Sequence, residues 1–239
     1  MLEINHVVIH VDSNKNVDEF KHHLDNAGVP FEPTWGKKAK GFKVSNIWFG
    51  MQYFEIVNIV KSKNLWLPSW AKRHAKGERG TFCILFKIQS PISDLQKKLR
   101  DAGYRVTEPE RTTFKGFLGL FEKQLPWRFC LTSKIPGTNI ELGFIEYDAG
   151  AEEQIKPYLV PNGADVGLTG LSRSTIYSDQ PMKTNQWIRD LQLILGEKLN
   201  LSVVEKLNNM SLSVDVKTSK SNPFSGVGIS DVVLLPDYS

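Results

Sequence analysis

Two histidines stand in an otherwise apolar run, "EINHVVIHVDS", that alternates as a strand does. Residues two apart in a strand share a face. Val7, Ile9 and Val11 therefore look one way, and His6 and His10 the other. Further along, Glu55 in "QYFEIVNIV" and Glu141 in "NIELGFIEY" are carboxylates inside apolar strands. Burial there costs free energy unless the acid is paired or holds a cation. Cys83 in "TFCILFKI" shares a face with Thr81, Leu85 and Lys87, while Phe82, Ile84, Phe86 and Ile88 form the fully apolar side. Imidazole, carboxylates and a thiolate are a donor set for Zn²⁺, Fe²⁺ or, with the oxygen and nitrogen donors alone, Mn²⁺. Each residue also has a plain structural role open to it: His6 and His10 as hydrogen-bonded core histidines, Cys83 as a small core hydrophobe.

The elements that would position these groups repeat. "HVVIHV" is a strand and "NVDEFKHHLDNAGV" (16–29) a helix with Val17, Phe20, Leu24 and Ala27 on one side, stopped by Gly28. Three strands follow in "FEPTWGKKAKGF", "KVSNIWFG" and "QYFEIVNIV". The order returns with "TFCILFKI", a helix in "SPISDLQKKLRDAGY" capped by Ser90 with Pro91 at its first position, and strands in "RVTEPERTTF", "PWRFCLTS" and "TNIELGFIEY". "LDNAGV" and "LRDAGY" hold the same place in each copy. The expected architecture is α+β: paired βαβββ modules, about 3–60 and 81–147, forming a curled eight-stranded mixed sheet over residues 1–147. A basic helical insert, 61–80, carries Trp66 and Trp70. It reads as a helix packing its tryptophans on the sheet, or as a lid. A turn-rich linker, 148–165, then leads to a partial third βαβ-type module, 166–239.

In this arrangement His6, Glu55, Cys83 and Glu141 converge on the concave face. Trp48 and Trp127 would wall a site for a flat or apolar molecule, and Arg128 would suit its carboxylate. Trp127 and Arg128 are adjacent, so only one of them faces inward. His10 lies one step along the same face as His6.

Composition narrows the class. Net charge is +4 with pI ≈ 8.9, and the basic residues are spread, so nucleic acid is not an expected partner. Cys83 and Cys130 form no disulfide framework, no signal segment opens the chain, and no apolar run approaches a membrane span. A cytoplasmic protein with a small-molecule substrate or ligand is expected, with a homodimer left open.

The repeat, with "INHVVIHV", "QYFEIVNIV", the Trp-bearing insert, "LRDAG" and "VPNGAD", resembles the vicinal-oxygen-chelate superfamily of glyoxalases, bleomycin-resistance proteins and extradiol dioxygenases, and within it the glyoxalase-like domain group. The resemblance covers residues 3–147 and extends through the further module. It implies a divalent metal (Zn, Mn or Fe) held by His6, Glu55, Cys83 and Glu141, with Glu55 or Glu141 as general base in a lyase or dioxygenase reaction. Cys83 stands where metal-dependent members usually have His or Gln. The same superfamily includes metal-free small-molecule-binding and resistance-type proteins, the alternative. A third reading, an interaction module, would fill the concave face with side chains.

Overall fold

The computed structural model describes residues 1–33, 41–60, 67–115, 122–206 and 208–238. β1 (Glu3–Val11) leads into α1 (Asn14–Asn26), which buries Val17, Phe20 and Leu24. β2 (Phe42–Phe49) and β3 (Gln52–Ile59) complete the first module, and α2 (Pro68–Ala75) bridges to the second. There β4 (Gly80–Lys87), α3 (Ile92–Asp101), β5 (Thr113–Lys115), β6 (Glu122–Gln124), β7 (Trp127–Lys134) and β8 (Glu141–Tyr147) follow. Helix α3 starts one residue later than its sequence suggests. Pro91 is the N-cap, and the Glu146 carboxylate accepts from the Ile92 N–H at 3.2 Å where a Ser90 hydroxyl was expected.

The main sheet runs β2-β3-β1-β4-β8-β7. Its order is palindromic: β1 pairs parallel with β3, β4 parallel with β8, and β1 meets β4 antiparallel. The pairs His6↔Leu85 and Val8↔Cys83 exchange under this pseudo-twofold, so His6 and Cys83 are equivalent positions. Six strands are continuously paired among the described residues, rather than the expected eight. The segment expected as the first module's middle strand falls mostly on residues 34–40, outside those described. Its counterpart, 105–114, follows β7 only through the bridges Val106↔Thr132 and Glu110↔Phe129. Pro109 has no N–H to continue the ladder.

α1 and α3 cover one face of this sheet, where Val7, Ile9, Val11, Ile84, Phe86 and Ile88 join the main core. The opposite face carries a second cluster with Val8, Cys83, Leu85 and, contrary to the strict alternation, Phe82. A register shift between Val8↔Cys83 and Ile9↔Thr81 makes Phe82 the extra residue of a bulge, which turns its ring to the concave side.

The 148–165 stretch, read as a linker, is partly helical: α4 (Ala151–Ile155) is followed by short 3₁₀ turns. Beyond it β9 (Leu168–Ser178), α5 (Pro181–Leu195), β10 (Leu201–Glu205), β11 (Leu212–Thr218), β12 (Val227–Ile229) and β13 (Val232–Asp237) build a five-stranded sheet ordered β10-β9-β11-β13-β12. Its apolar residues Leu171, Ile176, Val214 and Leu234 share the main core with β1 and α1.

Two polar side chains lock the sheets together. The Gln52 amide accepts from Leu171 N–H at 2.7 Å and donates to the Leu171 carbonyl at 3.2 Å, as a strand neighbour would. Asp231 accepts from the Thr81 N–H at 2.9 Å and from its hydroxyl at 3.1 Å, fixing the start of β4. Gly80, at φ +82°, leaves room there that a Cβ would take from the Asp231 carboxylate. Thr81 is buried, so Asp231→Ala leaves its N–H unsatisfied. Urea unfolding is expected to show a loss of about 2 kcal/mol. A loss under a few tenths would mean that the C-terminal sheet does not brace β4.

Candidate functional site

The face of the main sheet opposite α1 and α3 holds a cavity of about 380 Å³. Its walls are apolar and rich in rings: Phe42 and Trp48 from β2, Tyr53 from β3, Trp70 from α2, Trp127 and Phe129 from β7, and Tyr147 from β8 stand among aliphatic side chains. Four residues of the 148–165 stretch, Gln154, Ile155, Tyr158 and Leu159, close one side. His6, Asn46 and Glu55 are the polar groups that β1, β2 and β3 supply to its floor, and Thr112, Gln124 and Gln154 add uncharged polar groups elsewhere in the lining.

His6 stacks on Tyr53 with ring centroids 4.4 Å apart, and its Nδ1 lies 2.7 Å from Asn5 Oδ1. Asn5 reaches this side through a second bulge, between the pairs Ile4↔Phe86 and His6↔Leu85. The Tyr147 hydroxyl donates to the same Asn5 oxygen at 3.2 Å. An oxygen partner assigns the ring proton to Nδ1 and leaves Nε2 as an acceptor. Burial pulls the His6 pKa down to about 3, so the ring is neutral. Burial pushes the Glu55 carboxyl the other way, up to about 7. Glu55 has no hydrogen bond or ion pair among the described residues. Its cross-strand neighbour Asn46 has a buried Oδ1 that also lacks a partner.

The sequence-expected residues divide sharply. His6, Glu55, Trp48 and Trp127 line the cavity together. Cys83 is fully buried in the apolar cluster beside it, and burial pushes its thiol well above the ordinary range. Glu141 is taken: Trp70 Nε1 donates to one carboxylate oxygen at 2.9 Å and Arg73 pairs with the other at 3.1 Å. Arg73 also pairs with Glu78 at 2.7 Å, donates to the Asn139 carbonyl and lies 3.9 Å above the Phe82 ring. His10, expected in the site, is 1 % exposed and does not line the cavity. It is a core ring stacked 3.6 Å from Phe82 with its edge to Trp70, and neither ring nitrogen has a partner among the described residues. Arg128 points away to Glu146, at 2.8 Å, and leaves the inward position to Trp127.

The four-ligand metal centre is therefore not assembled. Among the described residues no three His, Cys, Asp or Glu side chains are grouped to hold an ion. Register is the physical reason. His6 pairs with Tyr53 while its equivalent Cys83 pairs with Glu141, so the two glutamates stand two residues out of step. Glu55 faces the cavity and Glu141 lies under α2. The donors present do not fit the implied metal.

Sequence reading missed Tyr53, Tyr147, Asn46 and Arg73. Tyr53 shares a face with Glu55 by simple alternation, as Tyr147 does with Glu141, so both were available. Arg73 follows Trp70 by one helical turn, a spacing that puts both on the same side.

Paired βαβββ modules back to back through β1 and β4, with a cavity in the concave face, decide the fold class. This is the α+β architecture of paired modules that the sequence resemblance implied. No protein-family model matches the chain, and no curated protein does. Among solved structures, a hypothetical protein from Staphylococcus aureus is similar over 100% of both chains, with a TM-score of 0.71 and 11% identity. Hypothetical protein BH1468 from Bacillus halodurans is similar over 62% of this chain and 95% of its own, at 16% identity and a TM-score of 0.44. Methylmalonyl-CoA epimerase from Mycobacterium tuberculosis is similar over 63% of this chain and 91% of its own, at 14% identity and a TM-score of 0.43. The paired-module fold thus carries a cavity lined by one acid and one neutral imidazole. Among the described residues no helix is long and apolar enough to cross a membrane.

Proposed function

We propose that the chain binds a small, largely apolar aromatic molecule in the concave cavity without a metal ion. The carrying observation is the fate of Glu141. Its two oxygens are held by Trp70 and Arg73, while aromatic rings, not ligating groups, surround Glu55 and His6. A lyase or dioxygenase working through a chelated ion would have to release Glu141 from a nearly buried ion pair, which is costly. A cavity of this size with a few polar groups suits a compact organic ligand.

Titration with naphthalene derivatives, read by tryptophan fluorescence, tests this directly, because Trp48, Trp70 and Trp127 line the cavity. Binding should persist in EDTA. Val44→Trp, which fills the cavity from β2, should weaken it at least tenfold with the melting temperature little changed. Near-stoichiometric Zn, Mn or Fe in the purified protein, lost in both His6→Ala and Glu55→Gln, would overturn the reading in favour of a metalloenzyme.

A second reading has its own observation. A carboxyl with its pKa near 7 facing a cavity is suited to accept and return a proton. Exchange of ligand protons in D₂O, abolished by Glu55→Gln, would convert the binding site into an enzyme active site.

A further inference from the structure

The polar floor of the cavity is one-sided. Among the described residues Glu55 has no hydrogen bond or ion pair and the Asn46 Oδ1 beside it is buried without a partner, while His6 spends its Nδ1 proton on Asn5. All three offer acceptors, and the other polar side chains of the lining, Thr112, Gln124 and Gln154, carry no charge. Among the described lining residues there is no Lys or Arg. Arg128, which would have suited a carboxylate, is paired with Glu146, and Arg73 is shared between Glu141 and Glu78. Around this floor stand aromatic walls, whose faces attract positive charge.

We propose that the occupant is a protonated amine, a primary or secondary ammonium on an aromatic body, with its charge on the Glu55 carboxylate and an N–H on Asn46 Oδ1. This rests on the metal-free reading of the cavity. An ammonium supplies N–H donors to these acceptors and the positive charge that the described lining lacks, offsetting the charge of Glu55, whereas an anionic ligand would meet that charge unscreened.

Binding is coupled to a proton. The ammonium pairs with the ionised carboxylate, so the proton that Glu55 holds in the empty cavity passes to solvent, and no covalent bond changes. The titratable groups that line the cavity with Glu55, among the described residues, are His6 on β1, Tyr53 on its own strand, Tyr147 on β8 and Tyr158 in the stretch after α4. Cys83 on β4 lies in the apolar cluster beside it. His6 stays neutral, and Tyr53, Tyr147 and the Cys83 thiol stay protonated, between pH 6 and 8. The lining residues of β2 are not titratable.

The test compares 2-(1-naphthyl)ethylamine, the neutral 2-(1-naphthyl)ethanol and anionic 1-naphthylacetate by calorimetry at pH 6 and pH 8. With half-ionisation near pH 7, the carboxylate fraction rises from about a tenth to about nine tenths, so the amine should tighten about tenfold. The alcohol should not tighten. At pH 8 the amine should bind at least tenfold tighter than the alcohol, and Glu55→Gln, which keeps shape and an acceptor, should remove both differences. Asn46→Ala should weaken the amine more than the alcohol. Equal binding of amine and alcohol, or tighter binding of the acetate, overturns the amine assignment and leaves the cavity a neutral or anion site. Failure of all three compounds to saturate the protein overturns the metal-free binding reading itself.

Discussion

Arg73→Met is expected to cost about 3 kcal/mol in urea unfolding, although Met keeps most of the packing over Phe82. The arginine side chain is 10% exposed and its Glu141 partner 12%, so removing the cation strands a carboxylate that water hardly reaches. Among the described residues the Trp70 N–H alone would still answer it. Glu141→Gln should cost less, about 1–2 kcal/mol, because Arg73 keeps Glu78 and the Asn139 carbonyl and the amide oxygen still serves Trp70. The double variant should recover more than 1 kcal/mol of the summed loss, since neither charge is then left alone. Additive losses, or single losses below about 0.5 kcal/mol, would mean that this pair does not hold α2 over the sheet. The experiment also separates two roles for Glu141. As a metal ligand its conservative replacement would change metal content at little cost in stability; as an ion-pair partner it does the reverse.

The same pair shows where sequence reading succeeded and where it stopped. The duplicated βαβββ pattern was legible because each copy repeats periodicity, helix stop and closing strand, and those signals are local. Faces within strands were legible too, except at Asn5 and Phe82, where bulges insert one residue and break the alternation. A bulge is set by pairing with a strand some eighty residues away, which no local pattern reports. The glutamates were rightly singled out as acids needing a reason, and the reasons then diverged. Glu55 is left facing the cavity, and Glu141 is claimed by Arg73 from an insert that read as a surface helix or lid. His10 illustrates a different limit. Its face was read correctly, but the Phe82 bulge and Trp70 fill the space around it, so the expected site histidine is a core ring whose nitrogens have no partner among the described residues. Arg128 and Trp127 could not both turn inward, and Glu146 across the hairpin settled which did.

Glu55→Gln is expected to stabilise the protein at pH 8.5, by up to about 3 kcal/mol, and to leave it nearly unchanged at pH 4.5. Burial raises the folded-state pKa from 4.5 to about 7, and each unit is worth about 1.4 kcal/mol. Because the folded pKa is the higher one, the folded protein holds a proton between those values that the unfolded chain has lost. Stability from this group is therefore full below pH 4.5, declines as pH rises through 7, and is at its lowest above. His6 and His10 work in the opposite sense. Their folded pKa values are depressed by burial, His6 to about 3, so their contribution is intact above pH 6.5 and is lost as pH falls. Between pH 4.5 and 6.5 the two imidazoles and the one carboxyl partly cancel. Removing Glu55 should then steepen the loss of stability on acidification by about 1.4 kcal/mol per pH unit within that window. Urea midpoints of wild type and Glu55→Gln at pH 4.5, 6.5 and 8.5 would show it as two curves that meet in acid and diverge in base. Parallel curves would mean that Glu55 is already solvated or paired in the free protein. A carboxyl that lowers the stability of the empty fold at working pH is what a ligand site requires, since the cation that relieves it gains the same free energy on binding.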